Sequence, residues 1–190
     1  MIYLDQNNAI IYTDGGCYNN GDRKGDGSYA YLFLDEDNTE YVDVFAQYVE
    51  NTTNNRMEMI AAINAIMYSS VRDCTVISDS IYLVKGFSDP SYLERWISNG
   101  WKTSTKKPVQ NIDLWQVLSK LSWHRGINFV HIRGHNKDKN NKHAFWNDIC
   151  DKACTFMLEQ KQLGFLFTLR YYFNKKKFEI VGTKLIDKED

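Results

Sequence analysis

Several features that would decide the function of a chain are missing from this one. Its 4 cysteines are scattered through 190 residues without the paired spacing of a zinc site. No apolar run is long enough to span a bilayer, and the first residues lack the basic and apolar segments of a secretory signal peptide. We therefore expect a cytoplasmic protein that neither enters a membrane nor binds zinc.

An excess of charge of one sign is missing too. The chain has 23 Lys and Arg against 24 Asp and Glu, a formal net charge of -1. Any nucleic-acid-binding surface must therefore be a local basic patch, and the candidate is the segment WKTSTKK at residues 101–107. Hydrophobic residues make up 43% of the chain, which is enough for a packed core in one domain.

The hydrophobic pattern predicts strands and helices in a definite order. Three antiparallel strands come first, near residues 9–13, 28–34 and 41–49, and a dense apolar helix follows over residues 54–70. Strands and helices then alternate, and the last helix runs from Phe145 to about Lys161. This order predicts an α/β fold with a five-stranded mixed sheet, three antiparallel strands and then parallel additions, flanked by helices.

The end of the chain differs in character. Two β-rich segments flank Asn174–Lys177 and predict a hairpin. We expect residues 1–162 to form the main domain and residues 163–190 to form a C-terminal β-rich extension. The extension is too apolar to stay free in solvent, so it should pack on the domain or mediate self-association.

Four acidic residues occupy positions that suit a metal site. Asp14 and Asp79 follow strands that would be neighbours, and sheets with parallel strands place their sites at the carboxyl ends of strands. Glu58 would lie in the first turn of the first helix, and Asp151 in the first turns of the last. Converging carboxylates repel one another unless cations neutralise them, and ligands that are all oxygen select Mg²⁺ or Mn²⁺.

Each of these acids also has an ordinary structural explanation. Asp14 precedes two glycines, as turn residues do, and Asp79 could cap the helix that follows it. Glu58 could complete a capping box begun by Asn55, and Asp151 could lie on a solvated helix face. Taken singly, these roles are at least as common as metal binding; the joint pattern favours a metal site.

Six motifs follow one another along the chain: YTDGGC, TTNNRMEMIAA, ISDSIYL, GWKTSTKKPVQNIDLW, IRGH and NDICDKA. In their order and approximate spacing the chain resembles type 1 ribonuclease H, over residues from about Ile10 to Met157. The resemblance implies the ribonuclease H fold and endonucleolytic cleavage of the RNA strand of RNA–DNA hybrids. The products would carry 5′-phosphate and 3′-hydroxyl ends.

The same resemblance implies how the acids are used. They would bind two Mg²⁺ ions, for which Mn²⁺ could substitute; one ion activates the attacking water and the other stabilises the leaving 3′ oxygen. The implied metal ligands are Asp14, Glu58, Asp79 and Asp151.

Asp148 and His135 are candidate site residues beside the four acids. Asp148 is a rival fourth ligand, because it lies three residues before Asp151 on nearly the same helical face. The family places an asparagine four residues before its metal aspartate, and Asn147 matches that position, so we prefer Asp151. His135 matches a catalytic family histidine, on a flexible loop, that helps to shuttle protons or release product. The loop after it is longer than in bacterial members.

Contacts with the hybrid are also implied by the resemblance. Some residues would read the minor groove, others would form a DNA-phosphate pocket, and the family's basic handle, here Trp96 to Lys107, would grip the DNA strand. Asn51 and Arg95 carry the residue types that bacterial members have in the opposite order. The implied contact residues are Cys17, Asn51, Thr53, Asn54, Asn55, Arg95, Trp96, Trp101, Lys102, Lys106 and Lys107.

Other functions compete with this interpretation. Transposases, integrases and junction resolvases share the fold but lack such a handle. A non-catalytic hybrid-binding domain would be expected to have lost at least one acid. The core alone does not separate an independent enzyme from the ribonuclease H part of a reverse transcriptase, although a first strand close to Met1 favours the former. We expect a monomer, with a dimer through the tail as the alternative.

Overall fold

A computed structural model of the chain describes residues 8–18, 24–34, 40–69, 71–134, 141–161 and 165–185. Strands and helices are numbered in chain order. The strands are β1 (Asn8–Cys17), β2 (Gly25–Phe33), β3 (Tyr41–Thr52), β4 (Asp73–Ser78), β5 (Ile127–His131), β6 (Phe165–Tyr172) and β7 (Lys177–Leu185). The helices are α1 (Asn54–Tyr68), α2 (Ile81–Ser88), α3 (Pro90–Ser98), α4 (Ile112–His124) and α5 (Lys142–Gln160).

All these strands belong to one mixed sheet with the order β5-β4-β1-β2-β3-β6-β7. The first three strands form an antiparallel meander. β4 joins β1 in parallel and β5 joins β4 in parallel, whereas β6 and β7 are added antiparallel on the other side, next to β3. The predicted fold, a mixed sheet flanked by helices, is confirmed. The predicted strand number was wrong, because the sheet has seven strands and not five.

The two additional strands come from the predicted extension. Tyr41–Ala46 of β3 pair with Phe167–Tyr172 of β6, so the hairpin continues the sheet at an edge that would otherwise be open. Phe167, Leu169 and Tyr171 alternate along β6 and are all buried. Since the hairpin shares the sheet and its core, a boundary at residue 162 stays a prediction about independent folding.

A hydrophobic layer covers each face of the sheet. Alternate strand residues face opposite sides, so Ile11 belongs to the layer beneath α1, α2 and α4, and Tyr12 to the layer beneath α5. Trp115 of α4 is fully buried in the first layer, and Ile149 of α5 in the second. The strand ends near the active-site candidates are therefore held between two packed layers. None of the helices that the structure describes is long and apolar enough to cross a membrane.

Helix α5 begins earlier than the sequence predicts, at Lys142 and not at Phe145. The side-chain oxygen of Asn141 accepts hydrogen bonds from the backbone N–H groups of His143 at 3.0 Å and Ala144 at 3.1 Å. This is N-cap geometry, and it stabilises the first turn. The polar, basic composition of residues 136–143 predicts a loop; residues 136–140 lie outside the described part of the chain, and Lys142 and His143 belong to the helix.

Candidate active site

Strand register brings Asp14 and Asp79 to the same level of the sheet. The parallel pairing of β1 with β4 ends at Tyr12 and Ile77. Asp14 lies two residues beyond the first of these, and Asp79 lies two residues beyond the second. Among the described strands, β1 continues past this point with β2 alone as its partner, whereas β4 ends at Ser78, and we call this gap in the sheet beside Asp14 the cleft.

Helix α1 supplies a third carboxylate, that of Glu58, because it packs closely against β1. A Cβ atom at Gly15 would lie 2.3 Å from the backbone N of Glu58, so only glycine permits this approach. The side chains of Asp14, Glu58 and Asp79 each offer an oxygen, and these oxygens all lie within 4.8 Å of one another. Asp14 and Glu58 are buried, and Asp79 is half-buried.

The ordinary structural roles considered for these acids do not match the structure. Asp14 lies within β1, not in a turn. The residue preceding α1 is Thr53, without a side-chain capping bond, and Glu58 is in the second turn, so there is no capping box begun by Asn55. Ser80, and not Asp79, caps α2 by accepting from the N–H of Leu83. The three carboxylates are thus available for another purpose.

Burial and repulsion between the carboxylates raise the pKa values of Asp14 and Glu58. Burial, followed by the charges of Asp79 and Asp151, raises the pKa of Asp14 to about 8. The pKa of Glu58 lies well above its usual range for the same reasons, burial first. A hydrogen bond from the Gly15 amide opposes both shifts. Oε2 of Glu58 is buried without a hydrogen-bond partner among the described residues. Burying these carboxylates in their charged form is therefore unfavourable unless a cation binds.

Asp151 lies at the edge of this group. It is half-buried on α5 and is not part of the set whose oxygens are within 4.8 Å of one another. Its charge nevertheless contributes to the raised pKa of both Asp14 and Glu58. Asp148 instead is exposed and forms an ion pair with Lys152 at 2.5 Å. The electrostatic effect on the cluster supports Asp151 over Asp148 as the fourth ligand, and its role stays a prediction.

The nearest cysteines do not compete for a metal. Cys150 and Cys154 are buried on α5, and their thiols donate to the backbone oxygens of Tyr12 and Asp14. Burial raises the pKa of both thiols well above the usual range, so they stay neutral. The available ligands are therefore carboxylate oxygens, which suit Mg²⁺ or Mn²⁺.

The predicted minor-groove residues lie on the two elements that carry Asp14 and Glu58. Asn54 and Asn55 begin α1 and are half-buried. Cys17 ends β1, and its thiol lies 3.6 Å from the backbone oxygen of Thr52. Topology therefore places all three at the same end of the sheet as Asp14.

The handle forms a compact loop between α3 and α4. The N–H of Thr103 donates to Lys107 O at 2.8 Å, and that of Val109 donates to Trp101 O at 2.9 Å. Trp101 and Lys106 have left-handed backbone conformations, with φ of 60° and 63°. The three lysines of the handle, Lys102, Lys106 and Lys107, are exposed. The loop therefore presents a local concentration of positive charge in a chain that is nearly neutral overall.

Comparisons with known proteins decide the family. A model of the RNase H family matches residues 6–155. The chain belongs to the ribonuclease H family. It is 40% identical over 146 residues to the ribonuclease H of Acetivibrio thermocellus, covering 76% of this chain and 90% of that one. It is 37% identical over 153 residues to the ribonuclease H of Chlorobaculum parvum, covering 80% and 95%. It is therefore a nuclease of the ribonuclease H family.

Solved structures agree on the fold. LC9-RNase H1, described as a type 1 RNase H with the type 2 active-site motif, superposes with a TM-score of 0.65 at 20% identity, covering 82% of this chain and 74% of that one. The PFV RNase H domain superposes with a TM-score of 0.66 at 22% identity, covering 80% and 94%. At such low identity these matches support the fold alone.

Two residues beside Asp79 were not among the predicted site residues. Asn147 is buried, its Nδ2 donates to Asp79 Oδ2 at 3.4 Å, and its Oδ1 has no hydrogen-bond partner among the described residues. A Cβ atom at Gly134 would lie 2.1 Å from Asp79 Oδ2, so a larger residue there would collide with the carboxylate. The sequence did single out Asn147, but only by its spacing from Asp151. His135, which follows Gly134, lies outside the described residues.

The DNA-phosphate pocket stays a prediction. Arg95 is exposed on α3, where its Nε donates to Ser91 O at 2.9 Å and its guanidinium stacks over Tyr92 at 5.1 Å. Asn51, near the end of β3, is exposed with a φ of 55°. Arg95 also borders a cavity of about 230 Å³ between α3 and the handle, lined by Tyr92, Arg95, Trp96, Asn99, Lys102, Thr103 and Ser104.

Proposed function

We propose that this chain hydrolyses the RNA strand of RNA–DNA hybrids, the general activity of the family to which it belongs, by a two-metal-ion mechanism. One observation carries the proposal: three carboxylates, two of them buried, converge within 4.8 Å, and burial and the charges of neighbouring carboxylates raise the pKa values of the buried two. Acidic residues with no role beyond solubility usually lie exposed to solvent and apart from one another. An assembly that is destabilised until a cation arrives suits a metal-dependent nuclease.

The acidic residues of the cluster would be the metal ligands. Asp14, Glu58 and Asp79 would hold Mg²⁺, or Mn²⁺ in its place, and Asp151 would complete the set. The bound ions would supply activation of water and stabilisation of the leaving 3′ oxygen. The Gly15 amide, which bonds to the carboxylates of Asp14 and Glu58, would keep them oriented toward the cleft.

Other residues would select and align the substrate. Asn54, Asn55 and Cys17 would read 2′-hydroxyls in the minor groove, since amide groups can both donate and accept. The exposed handle lysines and Trp101 would hold the DNA strand through its phosphates and bases. His135 would carry a proton or assist product release. Cleavage would leave 5′-phosphate and 3′-hydroxyl ends.

A direct assay tests this function. A hybrid with an end-labelled RNA strand is incubated with the purified chain and Mg²⁺, beside single-stranded RNA, duplex RNA and duplex DNA of the same sequence. Only the hybrid should be cut, EDTA should stop the reaction, and the new 3′ ends should be extendable by a polymerase. Comparable cleavage of single-stranded RNA, or no cleavage of the hybrid with either Mg²⁺ or Mn²⁺, would contradict the proposal.

A further inference from the structure

Tyr82, the second residue of α2, makes three hydrogen bonds through a single hydroxyl. It donates to the backbone oxygen of Gln110 at 2.9 Å and accepts from Nε1 of Trp115 at 3.1 Å. It also accepts from Nδ2 of Asn111 at 3.3 Å. One donated and two accepted bonds fill the capacity of a phenolic hydroxyl. Tyr82 thereby ties α2 to the short segment that joins the handle to α4.

Asn111 is held in an unusual conformation within that segment. Its φ of 55° and ψ of 38° are left-handed, and although it precedes α4 its side chain makes no capping bond. The side chain instead joins two other elements: Nδ2 donates to Tyr82, and Oδ1 accepts from Arg56 at 3.4 Å. A non-glycine residue stays in this conformation when its surroundings impose it, even though asparagine tolerates it better than most.

Arg56 extends the connection to the helix that carries Glu58. Its guanidinium donates two parallel hydrogen bonds to Asp113 in the first turn of α4, at 3.0 Å and 2.7 Å. The two side chains are 31% and 56% exposed, so the ion pair contributes little to stability. A planar, bidentate pair does, however, fix the relative orientation of the two helices that it joins.

We propose that Arg56, Asp113, Asn111 and Tyr82 form a clasp that sets the distance and angle between the start of α1 and the handle, and thereby how the hybrid is held. This inference rests on the proposed function, because the start of α1 would read the minor groove and the handle would hold the DNA strand. A hybrid must meet both surfaces at once, so their spacing decides affinity as much as their contacts do. The four residues act through the surfaces that they connect and are positioning residues.

A purely stabilising role is the alternative, and the chain contains a matched control for it. Arg170 of β6 makes an equivalent two-point pair with Asp43 of β3, at 2.8 Å and 3.3 Å, with side chains 29% and 30% exposed. This pair joins β3 to β6, which lie on the opposite side of β1 from β4 and β5, the strands that α2 contacts. Breaking it should lower stability about as much as breaking the clasp, without moving either predicted contact surface.

The kinetic test compares four variants: Asp113→Asn, Tyr82→Phe, the double variant that combines them, and the control Asp43→Asn. Tyr82→Phe keeps the ring, which packs 5.5 Å from that of Trp115, and removes only the hydroxyl. For cleavage of the RNA–DNA hybrid, the two clasp variants should raise KM about tenfold and leave kcat within about twofold of wild type. The control should leave KM unchanged. The double clasp variant should raise KM by less than the product of the two single effects.

Hydrogen exchange of the handle tests the clasp without any substrate. The amides of Thr103 and Val109, whose hydrogen bonds close the handle, should exchange faster in both clasp variants and at the wild-type rate in the control. Unchanged exchange and unchanged KM in the clasp variants would overturn the proposal, as would an equal rise in KM in the control. Should the wild-type chain fail to cleave hybrid, the proposed function fails, and the exchange rates still decide whether the clasp holds the handle.

Discussion

Replacing Asp14 with asparagine should stabilise the metal-free protein while abolishing cleavage. The pKa of Asp14 is raised from 3.8 to about 8, chiefly by burial and then by the charges of Asp79 and Asp151. At pH 7 the unfolded chain has released this proton, whereas the folded chain must retain it. Keeping the proton costs 1.36 kcal/mol for each pH unit above the unfolded pKa, and pH 7 lies about three units above it. The carboxyl of Asp14 therefore lowers the free energy of unfolding by on the order of 4 kcal/mol, and a neutral asparagine has no such cost.

The size of this stabilisation depends on pH, and its sign stays the same. Below pH 3.8 the carboxyl is protonated in both states, so wild type and Asp14→Asn should have similar free energies of unfolding. As pH rises from there toward about 8, only the unfolded wild type ionises, and its stability relative to the variant falls steadily. Above that range both states are ionised and the difference reaches a plateau. The stabilisation by Asp14→Asn should therefore grow from about pH 4 to about pH 8.

Urea unfolding in EDTA at several pH values measures this difference, with Asp148→Asn as the control. Asp148 is exposed and paired with Lys152, so its replacement should change stability by less than about 1 kcal/mol and without the same rise with pH. Adding Mg²⁺ should stabilise wild type and narrow the gap, since a ligand that binds only the folded state raises its stability. A gap that is constant with pH, or a destabilised Asp14→Asn, would refute the electrostatic reasoning. Near-native cleavage by the variant would refute its metal role.

The remaining predictions concern residues around the cluster and the handle. Asp151→Asn should lower kcat far more than Asp148→Asn in the Mg²⁺-dependent cleavage assay, and the reverse ranking would exchange the two assignments. His135→Ala should slow turnover by about 10²-fold while hybrid binding, measured by fluorescence anisotropy, persists; loss of binding would argue against a role in the catalytic step. Lys106→Gly should raise the free energy of unfolding by about 0.5–1 kcal/mol in urea titrations, because a lysine at a φ of 63° is strained; no gain would mean that this strain is relieved locally. Arg95→Ala should raise KM more than it lowers kcat, and should reduce the salt slope of hybrid binding by about one, whereas an unchanged KM would remove it from the phosphate pocket.

Much of the candidate site could be predicted because its residues follow from strand order and chain register. Asp14 and Asp79 lie at equivalent positions beyond the parallel pairing of β1 with β4, and a mixed sheet dictates that such residues meet. Glu58 needed one more condition, the close approach of α1 to β1, which the glycine at position 15 permits. The glycine was visible in the sequence, but a turn explained it equally well.

Other parts of the structure could not be predicted from local pattern. The pairing of β6 with β3 joins segments that are more than a hundred residues apart in the sequence. Hydrophobic alternation predicts that a segment is a strand, but it does not predict with which strand the segment pairs. The contact of Asn147 with Asp79 depends on how α5 is placed against β4, which periodicity does not specify. The clasp likewise requires side chains from three helices and the segment before α4, whose sequence spacing is unrelated to their distance in the fold.

The hairpin is added to the half of β3 that lies away from Asp14. β6 pairs with β3 only over Tyr41–Ala46, and the remaining part of β3, up to Thr52, extends beyond the last pair. Because β3 runs antiparallel to β2 and β2 antiparallel to β1, this end of β3, which pairs with β2 and not with β6, lies on the side of the sheet where Asp14 is found. The sheet therefore grows beside the opposite half of β3. The start of α1, which follows Thr53, lies beyond the part of β3 that pairs with β6.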